Sequence, residues 1–559
     1  MLAALDAEAP RLAAALERLR AEDALGQLLE RRGRMAELAT EEGDIKLDWA
    51  DGVARALDDG AALAEVEAMA AAIRGAGTRH VVWAGMGGSV QTVHTLRGLG
   101  LLDGAGVALH PLDSTDPAAL NRLLRAISDG GGLAEGLRRT FVVGVAMGMT
   151  SEEPVTHLEW LDGLLREHGV ADPDRHVAVM TLPGSSLDRF AAARGVRRVD
   201  LQLDGGSHTP GRMSAPATRV FLLPAALALP VGGLRAALER CQAELRLSGS
   251  LDAAGRDAVA CGDPFVRLAA WLHAQMEAGR DMLLLDLPER WRPLAPWIEQ
   301  VVEESLGKGG RGLLVFAGQE PAAGWPDRHA VLRVDEGGGT PCGGAPAATL
   351  RLAGGLAAAA RLFVGWELTV ALLGYLRGIT FAGQPAVEAY KRHARELRTS
   401  EGPLPYPPDA LDVTELPPAL AGAAGAEPAY LDLTVNADPG SGAWDDARSE
   451  MLRLGNRVLH RPVKLRWGPQ DYHSTEQSET DGPPGVLSVR VLVRRTETVA
   501  AGEYADRFLH AQALGTVRAM REAGRPPLLV VLEDLRGAGP LAGAIRRAGQ
   551  LLSADGGAR

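Results

Sequence analysis

Short apolar runs alternate with helical periods along most of this chain, and this alternation limits the fold more than any other feature. Between residues 78 and 203 the apolar runs are "RHVVWAG", "VALHPLD", "TFVVGVAM", "RHVAVMTL" and "RRVDLQL". The segments between them, such as "DPAALNRLLRAI", carry apolar residues at helical spacing. Strands that alternate with helices predict an α/β fold, with doubly wound parallel sheets flanked by helices.

A second series of apolar runs predicts a second domain of the same kind. Its members are "DMLLLDL", "RGLLVFAG", "HAVLRVD", "YLDLTVN", "LSVRVLVRR" and "PLLVVLED". A chain of 559 residues is also too long for one hydrophobic core. We therefore predict a helical N-terminal segment over 1–60, a first domain over 61–235 and a second domain over 236–559. The proline-rich stretch 399–428 is predicted to be a long surface connection within the second domain.

Charge and cysteine content argue against several classes of function. The net charge is −12 and no basic run occurs, so no nucleic-acid partner is expected. Cys241, Cys261 and Cys342 are far apart and lack CxxC spacing, which argues against a disulfide framework and a zinc site. This pattern is typical of a protein from a reducing compartment.

The most apolar long stretch, 352–376, contains Arg361 and Glu367. Charged residues at such positions favour a buried helix over a membrane span. The first twenty residues carry acids early and fit an amphipathic helix better than a signal peptide. We therefore expect a cytoplasmic protein without a membrane partner.

The stretch "WAGMGGSVQT", residues 83–92, places three glycines between a predicted strand and a predicted helix. Backbone N–H groups at such a turn can bind an anion, but tight strand–helix packing also requires glycine. A dinucleotide fingerprint needs a third glycine at position 90, which is Val90, although Asp113 could stand for the ribose-binding acid. These residues alone leave an anion site, tight packing and a weak dehydrogenase interpretation open.

Two polar residues in "WIEQVVEESLGKGG" are spaced to share one helix face. Gln300 and Glu304 are four positions apart and lie on the same face as Trp297. Gly307 is placed to end the helix, which leaves Glu304 in its last turn. The negative end of the helix dipole disfavours the ionised carboxylate there, so Glu304 is a candidate general base. A solvated glutamate at a helix end is the alternative.

Four other residues are candidates whose local sequence alone favours a surface role. Arg212 in "HTPGRMSAP" precedes a helix that Ser214 is placed to cap. Gln384 lies at the start of the helix predicted from "GQPAVEAYKR", and Lys391 lies two turns further on a basic face. His473 lies in a polar loop, "DYHSTEQ". No metal-binding motif and no GxSxG motif of serine hydrolases occurs.

Taken together, "GMGGS", "GRMSAP", "QVVEESLGK", "GQPAVEAYK" and "HSTEQ" resemble the phosphoglucose isomerase family, also called glucose-6-phosphate isomerases. The "LDSTDP" at 112–117 resembles the branch found fused to transaldolase. The resemblance runs from about residue 75 to 535. It implies two sugar isomerase (SIS) domains, each a parallel sheet flanked by helices, and a hexose phosphate substrate.

The resemblance also implies roles for the candidate residues. Glu304 would be the enediol base beside Gln300, and Arg212 would stabilise the enediolate. His473 and Lys391 would open the sugar ring, with His473 acting in its own subunit or in the partner's within a homodimer. The remaining substrate-binding residues would be Gly87, Gly88, Ser89, Thr150, Ser151, Glu153 and Gln384. No metal or other cofactor is implied.

One loop departs from the family pattern, which reads close to "SKSGTTxET". The corresponding stretch here is "AMGMTSEEP", so Ala146 and Met147 replace a serine and a lysine. The change removes a cation and a hydroxyl from the predicted phosphate site. The sequence therefore predicts an aldose–ketose isomerase, most simply of glucose 6-phosphate and fructose 6-phosphate. An isomerase of another sugar and a catalytically silent sugar-phosphate-binding protein remain the alternatives.

Overall fold

The computed structural model describes residues 3–4, 9–104, 106–128, 130–149, 151–321, 324–335, 347–352, 354–468, 470, 475–495, 497–504 and 507–556. In chain order its strands are β1 (Ala3–Ala4), β2 (Thr40–Glu41), β3 (Asp44–Ile45), β4 (His80–Ala84), β5 (Ala108–Leu112), β6 (Thr140–Ala146), β7 (Val177–Thr181), β8 (Arg197–Val199), β9 (Met282–Asp286), β10 (Leu314–Ala317), β11 (His329–Asp335), β12 (Ala347–Arg351), β13 (Tyr430–Asn436), β14 (Val463–Gly468), β15 (Val486–Val493) and β16 (Leu528–Leu532).

The α-helices in chain order are α1 (Ala9–Ala21), α2 (Ala24–Leu29), α3 (Gly33–Leu38), α4 (Gly52–Asp58), α5 (Gly60–Gly75), α6 (Gly88–Gly98), α7 (Pro117–Ile127), α8 (Leu133–Arg138), α9 (Glu153–Glu167), α10 (Ser186–Arg194), α11 (Arg219–Ala228), α12 (Gly233–Leu245), α13 (Ala253–Gly262), α14 (Pro264–Glu277), α15 (Ala295–Leu306), α16 (Leu356–Arg377), α17 (Pro385–Thr399), α18 (Leu416–Ala424), α19 (Asp445–Arg453), α20 (Glu476–Asp481), α21 (Arg507–Glu522) and α22 (Ala538–Gly556).

The chain divides into two compact units, each assembled from three segments. The first unit holds Met1–Asp113, Arg125–Leu306 and His329–Gly383, and the second holds Ser114–Leu124, Gly307–Arg328 and Gln384–Arg559. The predicted domains are continuous, whereas these units are not. Hydrogen bonds explain why segment 114–124 belongs to the second unit. The Asp116 carboxylate accepts a bond from the backbone N–H of Asp438, and Arg122 pairs with the Asp438 carboxylate.

Five parallel strands form the first sheet of the first unit, in the order β5-β4-β6-β7-β8. The pattern "TFVVGVA" of β6 is apolar throughout because both faces of the sheet are covered by helices. A second sheet of this unit contains β12, β11 and β9 in parallel, with β1 antiparallel to β12. All five strands predicted between 78 and 203 are present, and the α/β class with parallel sheets is confirmed.

The longest helix of the first unit, α16, is the apolar stretch that the sequence predicts to be buried. Among the described residues it is the one helix long and apolar enough to cross a membrane, and 83% of its most apolar window is buried inside the protein. Arg361 and Glu367 are both buried within it. Gly378, with a φ of +64°, ends the helix. The predicted buried helix is therefore confirmed.

The second unit is built on a parallel sheet in the order β14-β13-β15-β16. Its core lies between this sheet and helices α18, α19 and α22. Part of the predicted connection 399–428 is helical here: Leu416 and Leu420 of α18 are fully buried in the core. Apolar residues four apart among the prolines explain why this part folds inward.

Candidate active site

The glycine turn between β4 and α6 lies at the carboxyl edge of the first sheet, where the strand order reverses. In open α/β sheets, ligands bind in this crevice. Gly87 has a φ of +59°, and α6 begins at Gly88. A Cβ atom on Gly88 would lie 2.4 Å from the carbonyl oxygen of Gly211 and 2.7 Å from the Cα atom of Arg212. The glycine therefore allows close packing of α6 on the segment that carries Arg212.

Arg212 is buried, although its local sequence favours a surface arginine. It lies in a short 3₁₀ turn, Gly211–Met213, and is 4% exposed. Its Nε donates to the hydroxyl of Ser305 at 2.7 Å. Its Nη2 donates to the backbone carbonyls of Phe381 at 2.5 Å and Gly383 at 3.3 Å. Neutral oxygens thus hold the guanidinium in one orientation.

The expected cap of the following helix is wrong. Helix α11 begins only at Arg219, and its cap is Thr218, whose hydroxyl accepts from the backbone N–H of Val220. Ser214 lies too early because the 3₁₀ turn and the residues after it come between. Its hydroxyl is buried and has no partner among the described residues.

Glu304 and Gln300 lie together on α15 as their spacing predicts. The Gln300 amide donates to Oε2 of Glu304 at 2.9 Å, and Nη1 of Arg212 lies 3.3 Å from Oε1. Both residues are at most 4% exposed. Helix α15 ends at Leu306, which leaves Glu304 in the last turn. A buried carboxylate held between an amide and a guanidinium can exchange a proton beside a developing negative charge.

Ser305 is a site residue that the sequence reasoning missed. It is fully buried, and its hydroxyl accepts a hydrogen bond from the Arg212 guanidinium. Its partner is 93 residues away in the chain, so no local pattern indicates the contact. The signal available in the sequence was that Ser305 directly follows Glu304.

The first predicted binding loop has its serine turned inward. The Ser89 hydroxyl donates to the backbone carbonyl of Met86 at 2.7 Å, and Trp83 donates to the backbone carbonyl of Ser89 at 2.9 Å. Ser89 is 4% exposed. Its hydroxyl oxygen can still accept, but its donated hydrogen bond is used within the loop.

The loop that departs from the family pattern follows β6. Met147 is half-buried, and its Cβ lies 3.7 Å from the position that a Cβ of Gly211 would take. Thr150 lies outside the described residues. Ser151 is half-buried, and Glu153 is buried in the first turn of α9. A thioether thus lies beside the Arg212 turn, where the resemblance implies a cation.

A buried histidine accompanies Glu153 on α9. Burial lowers the pKa of His157 to about 4, and the carboxylates of Glu153 and Asp113 only partly oppose this effect. The Asp113 carboxylate also accepts a hydrogen bond from Nε2 of His94 at 3.0 Å. His157 is therefore neutral at neutral pH.

Gln384 and Lys391 belong to the second unit. Gln384 is the residue before α17, and Lys391 lies two turns into that helix. The Lys391 ammonium pairs with Glu388 at 2.8 Å, and its side chain is 17% exposed. On the predicted basic face, Arg392 and Arg395 are exposed, whereas the Lys391 side chain is largely buried.

Gln477, which the sequence reasoning did not select, connects three of the motifs within the second unit. Its Oε1 accepts from the backbone N–H of Ala386 at 2.9 Å, at the start of α17. Its Nε2 donates to the backbone carbonyl of Gly307 at 3.1 Å. His473 of the same "HSTEQ" motif lies outside the described residues. The structure thus joins Arg212, Gln300 and Glu304 in the first unit and describes Gln384 and Lys391 in the second.

Solved structures share the fold. A hypothetical protein of Thermus thermophilus matches with a TM-score of 0.56 at 23% identity, over 72% of this chain and 100% of that chain. A glucose-6-phosphate isomerase of Chlamydia trachomatis matches with a TM-score of 0.51 at 16% identity, over 68% of this chain and 85% of that chain. The chain therefore shares the α/β fold of these two proteins.

Curated relatives share part of the sequence. The chain is 27% identical over 269 residues to a glucose-6-phosphate isomerase of Geobacter sulfurreducens, which is 46% of each protein. It is 30% identical over 267 residues to one of Prochlorococcus marinus strain MIT 9313, which is 45% of this chain and 43% of that protein. The chain thus spans less than half the length of the curated relatives it matches. No family model matches it. The resemblance to glucose-6-phosphate isomerases is confirmed.

Proposed function

We propose that this chain is an aldose–ketose isomerase that interconverts glucose 6-phosphate and fructose 6-phosphate through a cis-enediol. The observation that carries the proposal is the buried contact between Arg212 and Glu304, 3.3 Å apart, with Gln300 bound to the same carboxylate. The named activity of the curated relatives supports the same reaction.

The reaction moves one proton between neighbouring carbons of the open-chain sugar. Glu304 removes the proton from C2 of the aldose, and the negative charge develops on O1. Arg212 stabilises that charge, because a fixed guanidinium in a buried site needs no reorganisation when the charge appears. Glu304 returns the proton to C1, and a second proton passes from O2 to O1, which leaves the ketone at C2. One carboxylate suffices for these steps, so no metal is required.

Ring opening and phosphate binding complete the proposal. His473 and Lys391 are assigned to ring opening, since histidine can exchange a proton with the ring oxygen near neutral pH. The phosphate is assigned to the loops that carry Gly88, Ser89 and Ser151 and to the start of α17 at Gln384. Helix N-termini bind anions through backbone N–H groups.

Ala146 and Met147 favour a second candidate, an isomerase of another sugar, because they bring neither a cation nor a hydroxyl to the loop after β6. A sugar-phosphate-binding protein without turnover is the remaining alternative. The two differ from the first proposal in what they do with fructose 6-phosphate.

Turnover of fructose 6-phosphate in D₂O tests the proposal. Proton transfer through an enediol predicts glucose 6-phosphate that carries deuterium at C2 in at least part of the product, measured by NMR. Turnover without any deuterium would contradict the enediol route. Binding of fructose 6-phosphate without turnover would favour the silent binder, and the absence of binding would favour another sugar.

A further inference from the structure

The first turn of helix α17 is capped by a residue from another helix. Gln384 directly precedes α17, but its side chain accepts no hydrogen bond from the backbone of this helix. The usual N-cap residues have shorter side chains that turn back onto the second or third N–H group of the helix. Here the N–H group of Ala386, the second helical residue, donates to Oε1 of Gln477 at 2.9 Å. The helix is therefore capped without using the Gln384 side chain.

The side-chain amide of Gln477 is held at both of its ends. The residue is 0% exposed and lies in the first turn of α20, which packs against α17 within the second unit. Its Nε2 donates to the backbone carbonyl of Gly307 at 3.1 Å and lies 3.3 Å from Oδ2 of Asp481. Because both groups are acceptors, they require the nitrogen on their side, and the amide oxygen is directed at the N–H group of Ala386.

The amide of Gln384 is left without a structural role in this arrangement. Its Oε1 is buried and has no hydrogen-bond partner among the described residues. The backbone at the start of α17 offers little to an anion, because Pro385 has no N–H group and that of Ala386 is already bonded. The N–H group of Val387 donates to the backbone carbonyl of Gln384 at 3.1 Å. A phosphate group at this helix start would therefore meet the Gln384 side chain before the backbone.

We propose that Gln477 is a positioning residue for phosphate binding: it caps α17 and so holds the Gln384 amide in place for the phosphate group. The inference rests on the proposed function, which assigns the phosphate of the substrate to Gln384. A binding group whose support is already rigid loses less freedom when the ligand arrives, so its hydrogen bond contributes more to affinity. Gln477 itself is buried behind the helix start and does not need to contact the substrate.

A double-mutant cycle tests whether Gln477 acts through Gln384. The affinity for glucitol 6-phosphate is measured by calorimetry. Gln384→Ala should weaken it about tenfold, as expected for the loss of one charge-assisted hydrogen bond. Gln477→Met has a side chain of similar length but lacks both hydrogen bonds, and it should weaken the affinity about fivefold, because the Gln384 amide is then only misplaced. The double variant should bind no more weakly than Gln384→Ala alone.

Gln319→Met is the matched control for Gln477→Met. Gln319 lies in the same unit, and its amide also bonds to backbone groups, with hydrogen bonds to Ala317 and Val463. This variant should keep an affinity within about twofold of the wild type, since its partners do not belong to α17. Gln477→Met should also raise KM for fructose 6-phosphate and leave kcat within about twofold. If it does not fold, Gln477→Asn withdraws the amide by one methylene and should show the same loss.

Several results would overturn the inference. They are an unchanged affinity in a folded Gln477 variant, an equal loss in Gln319→Met, and losses that multiply in the double variant. An unchanged affinity in Gln384→Ala would also overturn it, because Gln477 would then have no binding group to position. A wild type that does not bind glucitol 6-phosphate would instead overturn the proposed function. The two failures are therefore distinguished by whether the wild type or only the variants depart from expectation.

Discussion

The two compact units each bury arginine against carboxylate, but they surround the arginine with different groups. In the first unit, Arg212 contacts one carboxylate, that of Glu304, and its other hydrogen bonds go to one hydroxyl and two backbone carbonyls. In the second unit, Arg466 and Arg490 meet a set of three carboxylates: Asp432, Glu476 and Glu479. All five side chains of this ion network are at most 5% exposed.

The difference separates a reactive arrangement from a structural one. Neutral oxygens around Arg212 leave positive charge that an anion in the site can use. The ion network pairs its two arginines with its own carboxylates, and Ser488 and Thr434 donate hydrogen bonds to Asp432. Removing one member of such a network leaves another charge buried and uncompensated. We therefore expect substitutions in the first arrangement to lower activity and substitutions in the second to lower stability.

Glu304→Gln should give the largest effect. It removes the base but keeps a side chain of the same shape that can bond to Gln300 and Arg212, so the protein should fold and bind sugar phosphate. Loss of a positioned general base lowers turnover by about 10²- to 10⁴-fold. The measurements are kcat and the midpoint of urea unfolding. More than a tenth of wild-type activity would mean that another residue is the base.

Arg490→Met should show the opposite behaviour. Breaking a buried ion pair by removing one partner destabilises a protein by about 3–5 kcal/mol. Arg490 is 0% exposed and contacts both Glu476 and Glu479, so the full effect is expected in the free energy of unfolding. The control is Arg536→Met, because the pair of Arg536 with Asp534 lies at the surface. Equal stability of the two variants would contradict the structural role of the ion network.

His157→Gln should change how the stability of the protein depends on pH. The pKa of His157 is about 4 in the folded protein, below the usual value of 6.5. As the pH falls below about 6.5, the unfolded chain binds a proton that the folded protein refuses, so stability falls until about pH 4. The loss is about 3 kcal/mol on integration of the shift.

The variant has no imidazole at position 157 to bind this proton in the unfolded chain. It should therefore lose less stability than the wild type between pH 7 and 4.5, measured by urea unfolding. His168→Gln, at the end of the same helix, is the matched control substitution. Parallel curves for the wild type and His157→Gln would show that His157 is not kept neutral by burial.

The fold was predictable where strands are apolar on both faces and much less so where buried strands carry charge. The run "TFVVGVA" predicts β6, whereas "VKLRWG" of β14, which contains Lys464 and Arg466, is not among the predicted strands. Both are buried: Arg466 joins the ion network, and Lys464 donates to the backbone carbonyl of Val315. Charges that are satisfied by distant partners cannot be recognised from local sequence.

The candidate site divides in the same way. The spacing of Gln300 and Glu304 predicts a shared helix face, and the structure confirms it. The burial of Arg212 could not be predicted from the residues around it. It is held by a hydroxyl 93 residues away and by two backbone carbonyls, and backbone groups cannot be recognised from the pattern of side chains. The need for Gly88 also depends on the distant Arg212 segment.

The smallest expected effect is on the affinity for the phosphate group of the substrate. It tests whether the first unit binds this phosphate without a cation from the loop after β6. Met147 lies beside Gly211, and the Ser89 hydroxyl donates within its own loop, so backbone N–H groups at helix N-termini are left to hold a dianion. One charge-assisted hydrogen bond to an anion contributes about 1.5–3 kcal/mol. Ala146→Ser combined with Met147→Lys should therefore lower KM for fructose 6-phosphate by about ten- to a hundredfold, with kcat little changed.

An inhibition series with glucitol 6-phosphate and glucitol supplies the control, because the variant should gain affinity only for the phosphorylated compound. Tight binding of glucitol 6-phosphate by the wild type would show that other residues replace the missing pair, whereas equal affinity for both compounds would indicate a substrate without phosphate.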